Sequence, residues 1–217
     1  MMSFLNLFII DMLKGDTIYL RMLNAEDWEK TYLWHNDNAL QKLTCGPVFE
    51  VSKEIEKKWV LEKASHNREE IYFAICSLEN DEMIGFSCLN NINLLYRSCY
   101  LGGTVIGNKE YRNGTEYLQV CLLMLDYAFC QLNINRLTVS CLKEHILSRS
   151  QIPALYFTQE GIGREAVVKN GRKYDEYYYA LLADEYMRHK KANDYETEKL
   201  IIRMIQISKD IKCELRK

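Results

Sequence analysis

Residues 100–129, YLGGTVIGNKEYRNGTEYLQVCLLMLDYAF, change period half-way along. The first part is apolar and β-branched (Leu101, Thr104, Val105, Ile106), which suits an extended strand. The last part, from Thr115, carries apolar residues at helical spacing. Between them lie Gly107, Asn108, Lys109 and Glu110, then Arg112-Asn113-Gly114-Thr115, residue types that turn a chain. The order is strand, tight turn, helix. The first backbone N–H groups of such a helix have no partner within it, and the helix dipole adds partial positive charge, so the turn suits a phosphate. Arg112 beside those amides adds a two-pronged cation.

The same stretch resembles the acetyl-CoA motif of the GNAT superfamily of N-acetyltransferases. That motif is a Gln/Arg-x-x-Gly-x-Gly/Ala loop between a strand and a helix whose end resembles Leu125-Asp126-Tyr127-Ala128-Phe129. In this register the two loop glycines fall on Thr115 and Tyr117, and Gly114 sits one place early. The wording Gln159-Glu160-Gly161-Ile162-Gly163-Arg164-Glu165, then Asn170-Gly171-Arg172-Lys173-Tyr174-Asp175, is similar to the end of the ribosomal-protein and spermidine acetyltransferase branches. The resemblance spans residues 17–186. It implies an α/β GNAT fold, a mixed central sheet with flanking helices, acetyl-CoA as cosubstrate and no metal. The acceptor it implies is a primary amine: a protein N-terminus, a polyamine or an amino sugar. The rival is a family member that binds or regulates without catalysing.

The resemblance also implies site residues. The backbone of Val105, Ile106 and Gly107 would polarise the thioester. Arg112, Asn113, Gly114, Thr115, Glu116 and Tyr117 would hold the pyrophosphate, and Ser150 stands at the family's asparagine position. A free amine with a pKa of ~10 is mostly protonated at neutral pH, so transfer needs a base, and the departing thiolate needs an acid. The family places a tyrosine acid on the helix after the second motif strand. Counting back from Gly161 that position falls on Phe157, and one inserted residue moves it to Tyr156. Tyr156 is the expected acid, on a helix of about 150–159, with Phe157 turned to the core. Glu144 is the expected base, with His145 beside it and Asn90 or Tyr100 near the cleft as the other candidates. By analogy Trp34-His35-Asn36-Asp37 faces the acceptor.

Working outward, Thr17–Leu23 alternates as a first strand, and Asn24 with Asp27 reads as the start of a helix to about Asn36. A loop through Cys45-Gly46-Pro47 leads to a helix over about 52–64, with Ile55, Trp59 and Val60 on one face. Ile71–Leu78 and Met83–Ile92 form a hairpin about Glu79-Asn80-Asp81-Glu82, and the motif strand follows as the next antiparallel neighbour. Arg136–Leu142 is a strand reached by a parallel crossover, and Asn170-Gly171 turns a hairpin between 164–168 and 177–182. Tyr177 and Tyr179 share one face of their strand and Tyr178 takes the other.

The 217 residues, 48% hydrophobic and 27% charged, suit one globular domain with appendages: an N-terminal extension 1–16, a domain 17–186 and a C-terminal helical extension 187–217. In the last, Leu200, Ile201, Met204, Ile205, Ile211 and Leu215 lie at helical spacing, to pack on the domain or, alternatively, to make a homodimer contact. A net charge of −2 and a pI near 6.1 lack the basic footprint of a nucleic-acid binder. The eight cysteines have no Cys-x-x-Cys pair and read as small buried hydrophobes in a reducing compartment. Asp11 interrupts the apolar run Phe4–Leu13, which is far short of the ~20 residues of a membrane span, so the expectation is a cytoplasmic protein with no membrane partner.

Overall fold

The computed structural model describes residues 13–46, 50–65 and 68–214. Most of the apolar run from Phe4, together with Pro47, His66 and Leu215, lies outside them. In chain order the elements are β1 (Ile18–Met22), α1 (Trp28–His35), α2 (Asn38–Leu43), α3 (Lys53–Ala64), β2 (Ile71–Ser77), β3 (Met83–Asn93) and β4 (Ser98–Ile106). They continue as α4 (Thr115–Asp126), β5 (Arg136–Leu142), α5 (Ile146–Ala154), β6 (Thr158–Lys169), β7 (Arg172–Leu182), α6 (Ala183–Lys191) and α7 (Thr197–Glu214). Seven strands make one mixed sheet in the order β1-β2-β3-β4-β5-β7-β6, with β4 and β5 the parallel neighbours.

Side chains alternate across the strands, so the sheet carries a core on each face. On one face Ile18, Leu20, Phe73, Ile75, Leu101, Leu137, Val139, Tyr177 and Tyr179 pack with Leu118, Cys121, Met124 and Leu125 of α4. On the other, Ala74, Cys76 and Phe86 meet Trp34 of α1 and Trp59 of α3. Tyr178 is exposed, as its alternation with Tyr177 and Tyr179 requires. The hairpin β6–β7 turns at Asn170 and Gly171, both at positive φ (50° and 74°), the geometry of a two-residue primed turn.

Four expectations needed correction. The short helix α2 was not foreseen. Helix α5 runs from Ile146 to Ala154 rather than over 150–159, and Ser150 lies inside it with its hydroxyl donating to Leu147 O at 2.8 Å. Helix α6, Ala183–Lys191, straddles the boundary expected at 186/187 between the domain and its C-terminal extension. In α3 the buried positions are Glu56 and Val60, while Ile55 is 58% exposed.

Helix α7 packs on α5 and α4 with Leu200 and Ile211 buried, whereas Ile205 is exposed. At the other end, Gln119 of α4 accepts from the N–H of Asp16 and of Thr17 (2.9 and 3.0 Å), holding the entry to β1. No helix among the described residues is long and apolar enough to cross a membrane.

Candidate active site

The site is built where β4 and β5 part. They pair only at Ser98↔Arg136, Cys99↔Leu137 and Tyr100↔Thr138. Strand β5 then stays with β7 as far as Leu142↔Glu176, while β4 runs on beside β3 to Ile106. A wedge opens between two parallel strands, with backbone on its β4 side that β5 does not pair. Within it β4 bulges: Phe86 opposes Val105 and Cys88 opposes Gly102, so Gly103 and Thr104 both face Ser87. Gly103 takes φ +61°, which a glycine adopts without strain, and it is exposed. Two hydroxyls close the vertex. Tyr100 and Ser140 are hydrogen-bonded at 2.7 Å, and Ser140 donates to Glu176 Oε1 at 2.5 Å. Burial pushes the Tyr100 phenol above its ordinary value.

Beyond β4 the chain is pinned before it enters α4. Gly107 and Asn108 both donate their N–H to Ile84 O (2.8 and 3.0 Å). Arg112 folds back on the strand end, Nε to Ile106 O at 2.8 Å and Nη2 to Gly107 O at 2.6 Å, with Asp37 at 3.6 Å. Burial acts against the Asp37 charge, but the amides of Ala39 and Leu40, with Arg112 and Lys109, outweigh it and hold the carboxyl below its ordinary range. Asn113 Oδ1 accepts from Thr115 N–H at 2.8 Å, and Gly114, at φ +99°, starts the helix. The first bond back into the turn comes from Leu118 N–H to Gly114 O, so among the described residues no backbone bond is seen for the amides of Glu116 and Tyr117. The Glu116 side chain is buried with one carboxylate oxygen unpartnered. Gly114 is covered by α5 and α7: a Cβ there would stand 3.5 Å from Gln151 Nε2 and 4.0 Å from Met204 Cε.

On the α1–α3 face, a cavity of about 430 Å³ runs to the wedge, lined by Gly103 and Val105 from β4 and by Trp34, His35, Trp59, Tyr72 and Phe86. Asn36 sets it up: its amide donates to Val51 O (3.2 Å) and accepts from Val51 N–H (3.0 Å), tying the start of α3 to the end of α1. Glu56, 1% exposed, then sits with both carboxylate oxygens 2.9 Å from Nδ1 of His35. In the neutral ring, an N–H at Nδ1 facing that carboxylate makes Nε2 the basic nitrogen. A larger hollow of about 610 Å³, between Gln119 and Tyr195, touches neither β4 nor β5.

The site thus combines a strand that leaves its parallel neighbour, a bulge at the parting and a helix N-terminus beyond it. Residues 17–153 match the family described as "Acetyltransferase (GNAT) domain". The chain belongs to the GNAT acetyltransferases. It is 25% identical over 169 residues to the uncharacterized N-acetyltransferase YnaD of Bacillus subtilis (strain 168), which covers 78% of this chain and 95% of that protein. The spermidine N-acetyltransferase of Vibrio cholerae, solved with CoA and spermine, shares the fold at TM-score 0.72 and 22% identity over 80% of this chain and 99% of that one. A GNAT-family acetyltransferase of Bacillus anthracis gives TM-score 0.69 at 18% identity, covering 80% and 99%.

Against the family motif, the structure distributes the expected site residues unevenly. Val105 lines the cavity and Ile106 is buried; the Gly107 amide is engaged by Ile84, so the unpaired backbone of the wedge lies earlier, at Gly103–Thr104. Arg112, Asn113, Gly114, Thr115, Glu116 and Tyr117 do form the turn, but the Arg112 guanidinium serves the chain's own carbonyls. Ser150 is buried in α5. Glu144 is exposed in the turn before α5, with no side-chain bond to the site.

Tyr156 lies past the end of α5 rather than on it. The helix stops at Ala154, Tyr156 turns to φ +67°, and Phe157 goes into the core as expected. The Tyr156 ring stacks on His189 (centroids 3.8 Å apart) with the Arg203 guanidinium 4.3 Å from its centre, so it is held by α6 and α7. The sequence reading missed the bulge and the His35–Glu56 pair. The Gly102-Gly103 doublet inside a strand is the signal for the first.

Proposed function

We propose that the protein is an N-acetyltransferase that moves the acetyl group of acetyl-CoA to a primary amine, with residues 17–186 as the catalytic unit. The observation that carries this reading is the continuity of the aromatic cavity with the parting of β4 and β5. An acetyl thioester in the wedge and an amine in the cavity then meet at Gly103. The open amides of Glu116 and Tyr117 take the pyrophosphate of the cosubstrate, at the positive end of α4.

In the reaction the amine nitrogen attacks the thioester carbonyl while His35 Nε2 takes its proton, and Glu56 fixes the ring and stabilises its charge. Backbone at the bulge steadies the negative oxygen, a donor in place before the charge develops. Collapse breaks the carbon–sulfur bond, and the thiolate takes a proton from the Tyr100–Ser140 hydroxyl pair at the vertex. We favour that pair over Tyr156, whose ring is packed against His189 and Arg203.

The test has two arms: calorimetric titration with acetyl-CoA, and amine-dependent release of free thiol across a panel of primary amines. Binding with thiol release is the expected result. Absence of binding would overturn the reading, and binding with no release for any amine would favour a regulatory family member instead.

A further inference from the structure

We infer that the cavity on the α1–α3 face takes a single primary amine borne on an apolar, aromatic-sized group, and does not take a polyamine. For the fate of that amine the inference rests on the transferase reading; the binding itself stands apart. The walls come from Trp34, Trp59, Tyr72, Phe86, Val51 and Ile55, and among the described residues Glu56 is the only carboxylate lining the cavity. Both oxygens of Glu56 already face His35 Nδ1 at 2.9 Å. One ammonium can be met there, by that carboxylate and by aromatic faces. A polyamine carries a positive charge at each nitrogen, and beyond Glu56 the described lining offers a further charge no second carboxylate, only apolar wall and the neutral Gln41 and Thr44, which is unfavourable.

The rim adds repulsion. Lys169, buried, donates its ammonium to Gln41 O at 2.7 Å and to Thr44 O, and both residues line the cavity. A positive charge therefore stands directly behind the Gln41 and Thr44 part of the wall. A volume of about 430 Å³ lies within the usual range of small-ligand pockets, ~300–1,000 Å³. The amine nitrogen sits among His35, Glu56 and Gly103, and the apolar body lies on Trp59 and Phe86.

Calorimetry on the full chain with 2-phenylethylamine and with spermidine, at one ionic strength, tests this. The aromatic amine should bind about tenfold or more tightly than spermidine, and Trp59→Ala should weaken it about tenfold. Ile55 is 58% exposed, so Ile55→Glu should fold normally; by adding a second carboxylate it should narrow or reverse the preference. Spermidine binding as tightly as 2-phenylethylamine to the unaltered protein, or an Ile55→Glu variant that leaves the ratio unchanged, overturns the inference. Thiol release is read in parallel. Binding of 2-phenylethylamine with no thiol release from it or from any other amine of the panel would end the transferase reading and leave the cavity's chemistry standing, whereas preferred acetylation of spermidine would do the reverse.

Discussion

Gly107→Ala is a small change that should reach the acceptor side of the site. The glycine follows β4 directly, and the indole of Trp34 lies where its side chain would be: an added Cβ would fall well inside 3.0 Å of Cε2, Cδ2 and Nε1 of that ring. Neither partner can yield easily. The Gly107 backbone is held by its N–H to Ile84 O at 2.8 Å and by Arg112 Nη2 on its carbonyl at 2.6 Å, and Trp34 stacks on Phe86 with centroids 6.3 Å apart. The indole has to tilt out of its seat. Overpacking of this kind costs about 1–3 kcal/mol, which for a chain of this size lowers Tm by roughly 2–12 °C. Since Trp34 is a wall of the cavity, the acceptor KM should rise as well. Thermal denaturation of the four members of a Trp34/Gly107 double-mutant cycle is the assay. In a Trp34→Ala background the alanine at 107 meets open space, so its cost should fall to within about 0.5 kcal/mol of zero. The same loss in both backgrounds, or no loss in either, would refute the steric argument.

Four other outcomes are expected. His35→Ala and Glu56→Gln should each lower the transfer rate about 10²–10⁴-fold with acetyl-CoA binding retained, and added imidazole should partly restore His35→Ala; wild-type rates in both would move the base elsewhere. Tyr156→Phe should leave the rate at saturating acetyl-CoA near wild type while Tyr100→Phe reduces it, and the opposite order in steady-state assays would return the acid to Tyr156. Leu200→Ala, at a fully buried position of α7, should cost about 2–5 kcal/mol in urea unfolding, with faster amide exchange along 197–214. Asp126, opposed by burial but held by Lys190 and by Tyr186 Oη at 2.9 Å, lies below the ordinary aspartate value of 3.8, so its stabilising contribution is full above that value and fades as pH falls below it. Urea midpoints of wild type and Asp126→Asn should therefore converge in acid, and a constant gap would contradict the assignment.

The donor side of the fold was legible because local and tertiary preferences agree there. Residues 101–106 include the β-branched run Thr104-Val105-Ile106, 107–114 are rich in glycine and asparagine, and α4 is apolar along most of its length; in each the local preference agrees with the observed state. The same holds for Asn170-Gly171, where the turn type fixes the register of β6 on β7. What failed was the end of α5. Pro153 is a local stop signal that the reading of a helix over 150–159 passed over, while a tyrosine at positive φ runs against its own preference, so the turn at Tyr156 just past the Leu155 cap was not marked locally. Its backbone is tolerated because the ring is fixed from both sides by His189 and Arg203, which follow it by more than thirty residues in the chain.

The acceptor side was hidden for a related reason. Apolar periodicity points α3 inward along Ile55, Trp59 and Val60, but the helix buries Glu56 with Val60 and leaves Ile55 outside. A glutamate scored as polar rotates the apparent face by a residue, and only the presence of His35, 21 residues earlier on another helix, makes its burial affordable. Removing the imidazole would leave a carboxylate at 1% exposure without its hydrogen-bond partner, which is strongly unfavourable in an apolar wall. A packing role alone would be filled better by leucine. The exception to the hydrophobic pattern thus coincides with the cavity that reaches the unpaired backbone of β4, which is where a transferase needs a base and where local rules are expected to give way.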